Sequence, residues 1–243
     1  RCIDDFEYRV PYFKPGRAEQ LQSLVDNGDL DLTAVTPGLF KLYPSEEDKI
    51  KRELEERLPA TCEMAAKLGA PRVIIFGFMR ESGGDVDKVR EYLKRAAEIT
   101  KQYQLSLCVE NEPGSYCDTG QNTAALIKSL DTPGILVNWD PANAIVSGEV
   151  AYPIGYEAIL PYLGNVHIKD AIPVPPDKWE NRLIGDGGMN WLGQLRRLIN
   201  DAPVKHLTLE THVFPLLENT REDLRRLRIL WNTVSQLNES QDF

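Results

Sequence analysis

The chain has 243 residues, ordinary for a single α/β barrel, with 42% apolar and 27% charged residues, the balance of a soluble globular protein with a sizeable core. No apolar run approaches the roughly 18 residues of a membrane span and no signal peptide is visible, although Arg1 is not an initiator Met. Without such a run no membrane is an expected partner, and a formal charge of −9, which repels phosphate backbones, makes nucleic acid an unexpected one unless a local basic patch overrides it.

The four cysteines, Cys2, Cys62, Cys108 and Cys117, form no CxxC pair and are expected to be reduced, buried thiols in a cytoplasmic setting. Ile3 to Val10 reads as a strand, with Glu7 and Arg9 sharing one phase, as an ion pair would. A short helix over Ala18 to Val25 stops at Asn27-Gly28. Leu30 to Thr36 is the next expected strand. Ser45 is the expected N-cap of a helix that runs to about Leu68 with a bend at Pro59. Arg72 to Phe76 is almost wholly apolar, as strands covered on both faces are.

A helix over Asp85 to Gln104 precedes a strand over Leu105 to Glu110. Thr119 or Thr123 caps a helix reaching Leu130, and Ile135 to Asp140 is a strand. A short helix over Tyr156 to Tyr162 leads to the alternating strand Gly164 to Asp170. Ala171 to Gly188 is rich in Pro and Gly and is expected to be a loop; Trp191 to Ile199 is helical. His206 to Glu210 is the last strand, and Thr220 caps a final helix to about Leu237. Alternating strands and helices predict an α/β fold in one domain over residues 1–243, a (β/α)8 TIM barrel. Seven units are visible, so the first β/α unit is expected to be missing before Arg1.

Glu110, Asp140, His167 and Glu210 stand at the C-terminal ends of four successive expected strands, 30, 27 and 43 residues apart. Barrels of this kind build active sites at that end. Each of the four shares its face with small or polar residues, while the opposite face is aliphatic apart from Trp139, which reads as packing. Four acidic or imidazole groups turned into one lumen are costly unless paired or bound to metal. Three carboxylates and an imidazole suit one divalent ion, Mn²⁺ first, with Mg²⁺, Co²⁺ or Zn²⁺ also compatible. Each residue also has a structural reading. Asp140-Pro141 is a standard helix start, Glu210 a salt-bridge partner, His167 a core histidine, and Glu110 a partner of Lys169 or Arg182.

The segments VENEPG (109–114), NWDPAN (138–143), NVHIKD (165–170) and TLETH (208–212) resemble the xylose isomerase-like TIM barrel superfamily of sugar and sugar phosphate isomerases and epimerases. The resemblance implies that Glu110, Asp140, His167 and Glu210 bind one divalent ion, often manganese. It also implies that Glu110 and Glu210 form the acid/base pair, abstracting a proton next to a carbonyl through a metal-stabilised enediolate. The expected activity is that of an isomerase, a sugar isomerase or ketose 3-epimerase in carbohydrate metabolism, acting on a small carbohydrate.

Lys169 shares the phase of His167 and is a further catalytic candidate, with a salt bridge as its structural alternative. Arg182, Asn143 and His212 are candidate substrate contacts; Trp179 and Phe214 are pocket walls or packing. His206 sits near its strand's start, away from the chemistry. Two other functions are carried: a dehydratase of a cyclic polyol ketone, and a non-catalytic sugar-binding barrel. The three-zinc DNA repair enzymes of the same fold are disfavoured. Asn143 stands where they would have histidine, and three histidines cannot supply their cluster. The oligomeric state is open, a homo-oligomer included.

Overall fold

A computed structural model describes residues 8–175, 178–201 and 204–239. Cys2, Glu7 and most of the strand expected over Ile3 to Val10 lie outside the described residues. Backbone contacts divide the chain into two compact units, Arg1–Glu110 with Leu126–Leu136, and Asn111–Ala125 with Val137–Phe243.

The first unit begins with α1 (Arg17–Asp26). The strand expected over Leu30 to Thr36 is reduced to one bridge, Val35 beside Val73, because the chain runs irregularly along its neighbour. Val35 N–H donates to Arg72 O at 2.9 Å, and Phe76 N–H to Leu39 O at 3.0 Å. Pro37-Gly38 interrupts regular pairing, and Phe40 takes a left-handed φ of 62° held by its N–H on buried Glu53. The long helix is α2 (Glu47–Arg52), a π-helical turn (Glu53–Arg57) and α3 (Leu58–Lys67). The irregular turn falls just before Pro59, whose missing N–H and ring disfavour a normal fourth-residue bond. Ser45 is not the N-cap. Its hydroxyl is engaged by Glu81 at 2.7 Å, and Glu46 stands at the cap without a side-chain bond.

Strand β1 (Arg72–Phe76) pairs in parallel register with β2 (Ser106–Glu110), Phe76 opposite Glu110. The intervening α4 (Val86–Gln102) starts on Asp85, whose carboxylate accepts from Asp87 and Lys88 N–H. It buries Val89, Leu93, Ala96, Ala97 and Thr100, one stripe at helical spacing. Cys62 and Cys108 are buried thiols pushed up to about 12 by desolvation, as inert core thiols are. Cys117 is also buried.

Helix α5 (Gly120–Leu130) begins in the second unit, with Thr119 Oγ1 accepting from Asn122 N–H at 3.0 Å. Strand β3 (Ile135–Trp139) leads to α6 (Pro141–Val146). After a π-helical turn (Ala151–Gly155) come α7 (Tyr156–Ile159) and a 3-10 turn (Leu160–Tyr162). Strand β4 (Leu163–Ile168) is parallel to β3, with Val137 opposite Leu163 but Asn138 opposite Asn165. Gly164 is the extra residue that this shift absorbs, and absorbing it sets Asn165 and Asn138 side by side.

The segment expected as a loop holds an antiparallel hairpin, β5 (Asp170–Val174) and β6 (Lys178–Arg182), with Asp170 opposite Arg182. Its tip carries Pro173 and Pro175, which read as loop in the sequence because strand propensity is low there. Helix α8 (Trp191–Asp201) lies behind Trp139, whose indole N–H donates to Gln194 Oε1 at 3.2 Å, in accord with its packing phase. Strand β7 (Thr208–Leu209) pairs in parallel with β4 and is shorter than expected. Helix α9 (Leu216–Glu239) starts ahead of Thr220, which is therefore inside the helix and does not cap it. No helix among the described residues is long and apolar enough to cross a membrane.

Candidate metal centre

The C-terminal ends of β3, β4 and β7 carry the second unit's candidate ligands, because parallel pairing aligns equivalent ends. Asp140 is the residue after β3 and is fully buried. Its two oxygens divide their work. Oδ1 accepts from Asn143 N–H at 3.0 Å and caps α6, while Oδ2 lies 2.6 Å from Lys169 Nζ and 3.9 Å from His167 Nδ1. The helix-start reading holds, and the second oxygen is left facing Lys169 and His167. His167, 4% exposed, turns Nδ1 to Glu210 Oε2 at 3.3 Å. Glu210 follows β7, with its N–H on Ile168 O at 3.1 Å. Ligand atoms of Asp140, His167 and Glu210 all lie within 4.8 Å of one another.

Glu110 is the last residue of β2 and of the first unit, and is 4% exposed. The next residue, Asn111, is fully buried and clasps Asp140. Its Oδ1 accepts from Asp140 N–H at 2.7 Å and its Nδ2 donates to Asp140 O at 2.7 Å. Asn111 was not among the expected residues, and its place between Glu110 and Glu112 was the available signal.

Lys169 stands among the carboxylates. Besides Asp140, its ammonium lies 3.5 Å from Glu210 Oε2 and donates to Asn143 Oδ1 at 2.9 Å. Burial pushes the Glu210 carboxyl up. Hydrogen bonds from His167 and His212, with the charges of His167 and Lys169, outweigh it and hold Glu210 far below the usual carboxylate range. His212 Nε2 is 3.5 Å from Glu210 Oε2 and half exposed. Asn143 also donates to Asn111 O at 2.9 Å. Arg182 lies apart from this group, on the hairpin, where its guanidinium pairs with Glu180. Trp179 lines a cavity of about 420 Å³ with Lys178, Pro113 and Ser147, while Phe214 is 79% exposed.

Two carboxylates and one imidazole form a nitrogen–oxygen donor set of the kind hard or borderline divalent cations take. The ligand atoms of Asp140, His167 and Glu210 lie close enough together to share one ion, so the residues fit it. Sequence reasoning missed Asn138 and Asn165, both fully buried. Their signal was their phase, shared with Asp140 and His167.

A model of the xylose isomerase-like TIM barrel matches residues 2–230. The chain is 25% identical over 206 residues to 2-epi-5-epi-valiolone 7-phosphate 2-epimerase of Actinoplanes sp., covering 81% of this chain and 70% of that protein. The structure of a D-tagatose 3-epimerase-like protein superposes with a TM-score of 0.78 at 18% identity, over 93% of this chain and 86% of the other. A xylose isomerase-like TIM barrel protein from Mycobacterium smegmatis, in complex with magnesium, gives a TM-score of 0.70 at 16% identity, over 91% and 80%. With this match over nearly its whole length, the chain belongs to the xylose isomerase-like TIM barrel family.

Proposed function

We propose that the protein is a divalent-metal-dependent epimerase or isomerase of a sugar or sugar phosphate. The observation that carries the reading is the convergence of Asp140, His167, Glu210 and Lys169 at the ends of parallel strands. Glu110 is the fourth ligand in this reading. Its support is a buried carboxylate at a strand end, directly before Asn111, which clasps Asp140. The likeness to an epimerase and to a magnesium-bound relative supports the same choice.

A bound divalent cation supplies Lewis acidity toward the oxygen on which negative charge develops when a proton leaves the adjacent carbon. Glu210, held ionised, takes a proton from the carbon next to the carbonyl on one face of the substrate. Glu110 returns one on the other face, which inverts that centre. Lys169 balances Asp140 and Glu210 and presents an N–H toward developing oxyanion charge. Asn143 and His212 contact substrate hydroxyls at the mouth. Arg182 enters as a substrate contact only by exchanging its Glu180 partner for the ligand.

The test is metal content and isotope exchange together. Purified protein is expected to hold about one Mn²⁺, Mg²⁺, Co²⁺ or Zn²⁺ per chain after loading, and His167→Ala to lose it. A ketose and sugar phosphate panel in deuterated water is expected to show exchange at the carbon next to the carbonyl, abolished in Glu210→Gln. Loss of water from a cyclic polyol ketone instead of exchange would move the assignment to a dehydratase. Absence of both metal and exchange would leave a sugar-binding barrel.

A further inference from the structure

Thr211 stands between Glu210 and His212, and in an extended chain its side chain takes the opposite phase. Glu210 and His212 turn toward the cluster, with His212 Nε2 3.5 Å from Glu210 Oε2. Thr211 turns to α9, where its hydroxyl donates to Asp223 Oδ2 at 2.6 Å. Asp223 is 2% exposed, and the proposed chemistry does not use it. Its other oxygen, Oδ1, accepts from the N–H of Ile184 at 2.8 Å. Ile184 belongs to a turn that reaches the end of β4. Its carbonyl accepts from Arg226 Nη1 at 3.1 Å, and the N–H of the next residue, Gly185, donates to Asp170 Oδ2 at 3.0 Å. Asp170 directly follows Lys169.

One buried side chain on α9 thus holds two segments that flank the cluster. Both lie beyond the regular strand pairing. β7 ends at Leu209, and the N–H of Glu210 on Ile168 O, at 3.1 Å, carries the pairing one residue further. Thr211 and His212 follow, so the bond to Asp223 fastens the chain just after the proposed base. Hydrogen-bond lengths tolerate only a few tenths of an ångström. A carboxylate with one oxygen on each segment therefore fixes how far apart they sit. The spacing at stake is that of Lys169 Nζ and Glu210 Oε2, 3.5 Å. A lost ladder bond would otherwise leave such a segment among the first to open.

We infer that Asp223 is a positioning residue of the centre. It acts through Thr211 and Ile184, and it holds Glu210 where that carboxylate can both ligate a cation and take a proton. The inference rests on the metal reading above.

The test uses the full chain and two pairs of variants. Each is followed by calorimetric titration of Mn²⁺, by the visible absorption of the Co²⁺-loaded protein, and by urea unfolding in chelator. Thr211→Val keeps the shape and removes the hydroxyl; Thr211→Ser keeps the hydroxyl. Thr211→Val is expected to bind Mn²⁺ about 10–100-fold more weakly, the usual effect of losing a hydrogen-bonded group behind a metal ligand. Its Co²⁺ bands should shift, because Glu210 leaves its place. Thr211→Ser should stay within about threefold of wild type, with unchanged bands. Asp223→Asn retains an oxygen for the Ile184 N–H and an amide for the Thr211 hydroxyl, so it should also keep its affinity and bands. Asp223→Leu loses both contacts and should match Thr211→Val or bind more weakly still. If Asp223→Leu does not fold, the Thr211 pair decides alone. A purely structural Asp223 would lower the urea midpoints and leave the Mn²⁺ affinity and Co²⁺ bands of Thr211→Val as in wild type. That result would overturn the inference and leave the metal reading standing. Equal losses in Thr211→Ser and Thr211→Val would overturn it too, since the hydroxyl is the link. A wild-type chain that binds no cation would remove both.

Discussion

Lys169 is the residue on which the charge balance of the centre turns. Asp140 is fully buried, and its Oδ2 depends on the ammonium 2.6 Å away. Removing one partner of such a pair leaves a buried charge uncompensated, at a cost of about 3–5 kcal/mol. Lys169→Met is therefore expected to lose about that much stability in urea unfolding with chelator present. Saturating divalent cation should recover a large part of the loss, because a metal compensates the same carboxylates. A loss unchanged by cation would mean that Lys169 acts through packing alone. Asp140 shows how one side chain serves two purposes, with one oxygen capping α6 and the other turned to the cluster.

At the scale of elements, the end of β4 is fixed from behind by Asp170. This buried carboxylate accepts from the N–H groups of Ala171, Gly185 and Met189 and from the Trp191 indole. Burial raises its pKa against the pull of these bonds, so the cradle must stay closed to keep an ionised Asp170 satisfied. Gly187 makes the cradle tight. A Cβ there would lie 2.0 Å from Asp170 Oδ1 and 2.9 Å from Ala171 N, whereas one on Gly188 meets nothing nearer than 3.3 Å. Gly187→Ala should cost about 1–3 kcal/mol by overpacking, and Gly188→Ala clearly less. Equal unfolding midpoints for the two variants would contradict this account. The cradle also positions the adjacent Lys169, so Gly187→Ala should weaken cation binding as well.

For the whole molecule, a cation that binds only the folded chain adds stability by mass action. At a concentration of about 100 times Kd the gain is ~2.7 kcal/mol. For a chain of this size, that gain raises Tm by about 5–10 °C. Differential scanning calorimetry of the chelated and Mn²⁺- or Mg²⁺-loaded protein is expected to show that shift, and His167→Ala to lack it. The effect reads binding without reference to turnover, so it separates a metal-holding barrel from an active one.

Much of this molecule was legible in the residues. Strands β1, β2, β3 and β4 follow from apolar or alternating runs between Gly and Pro breaks, and α4 and α8 from their stripes, because periodicity records which face is buried. The phase of Asp140, His167 and Glu210 on their strands was equally local, and the structure brings these three together. Other features depend on partners far along the chain. The β5–β6 hairpin forms despite Pro173, and the segment at Val35 forms one bridge where alternation suggested a strand. The start of α9 lies four residues before Thr220, with no capping signal to mark it. The bond between His206 and Asn165 joins residues 41 apart. A sequence determines which side chain faces inward, since that follows from backbone repeat alone. Which inward groups touch, and which way their hydrogen bonds run, was decided only by tertiary pairing and the one-residue shift at Gly164.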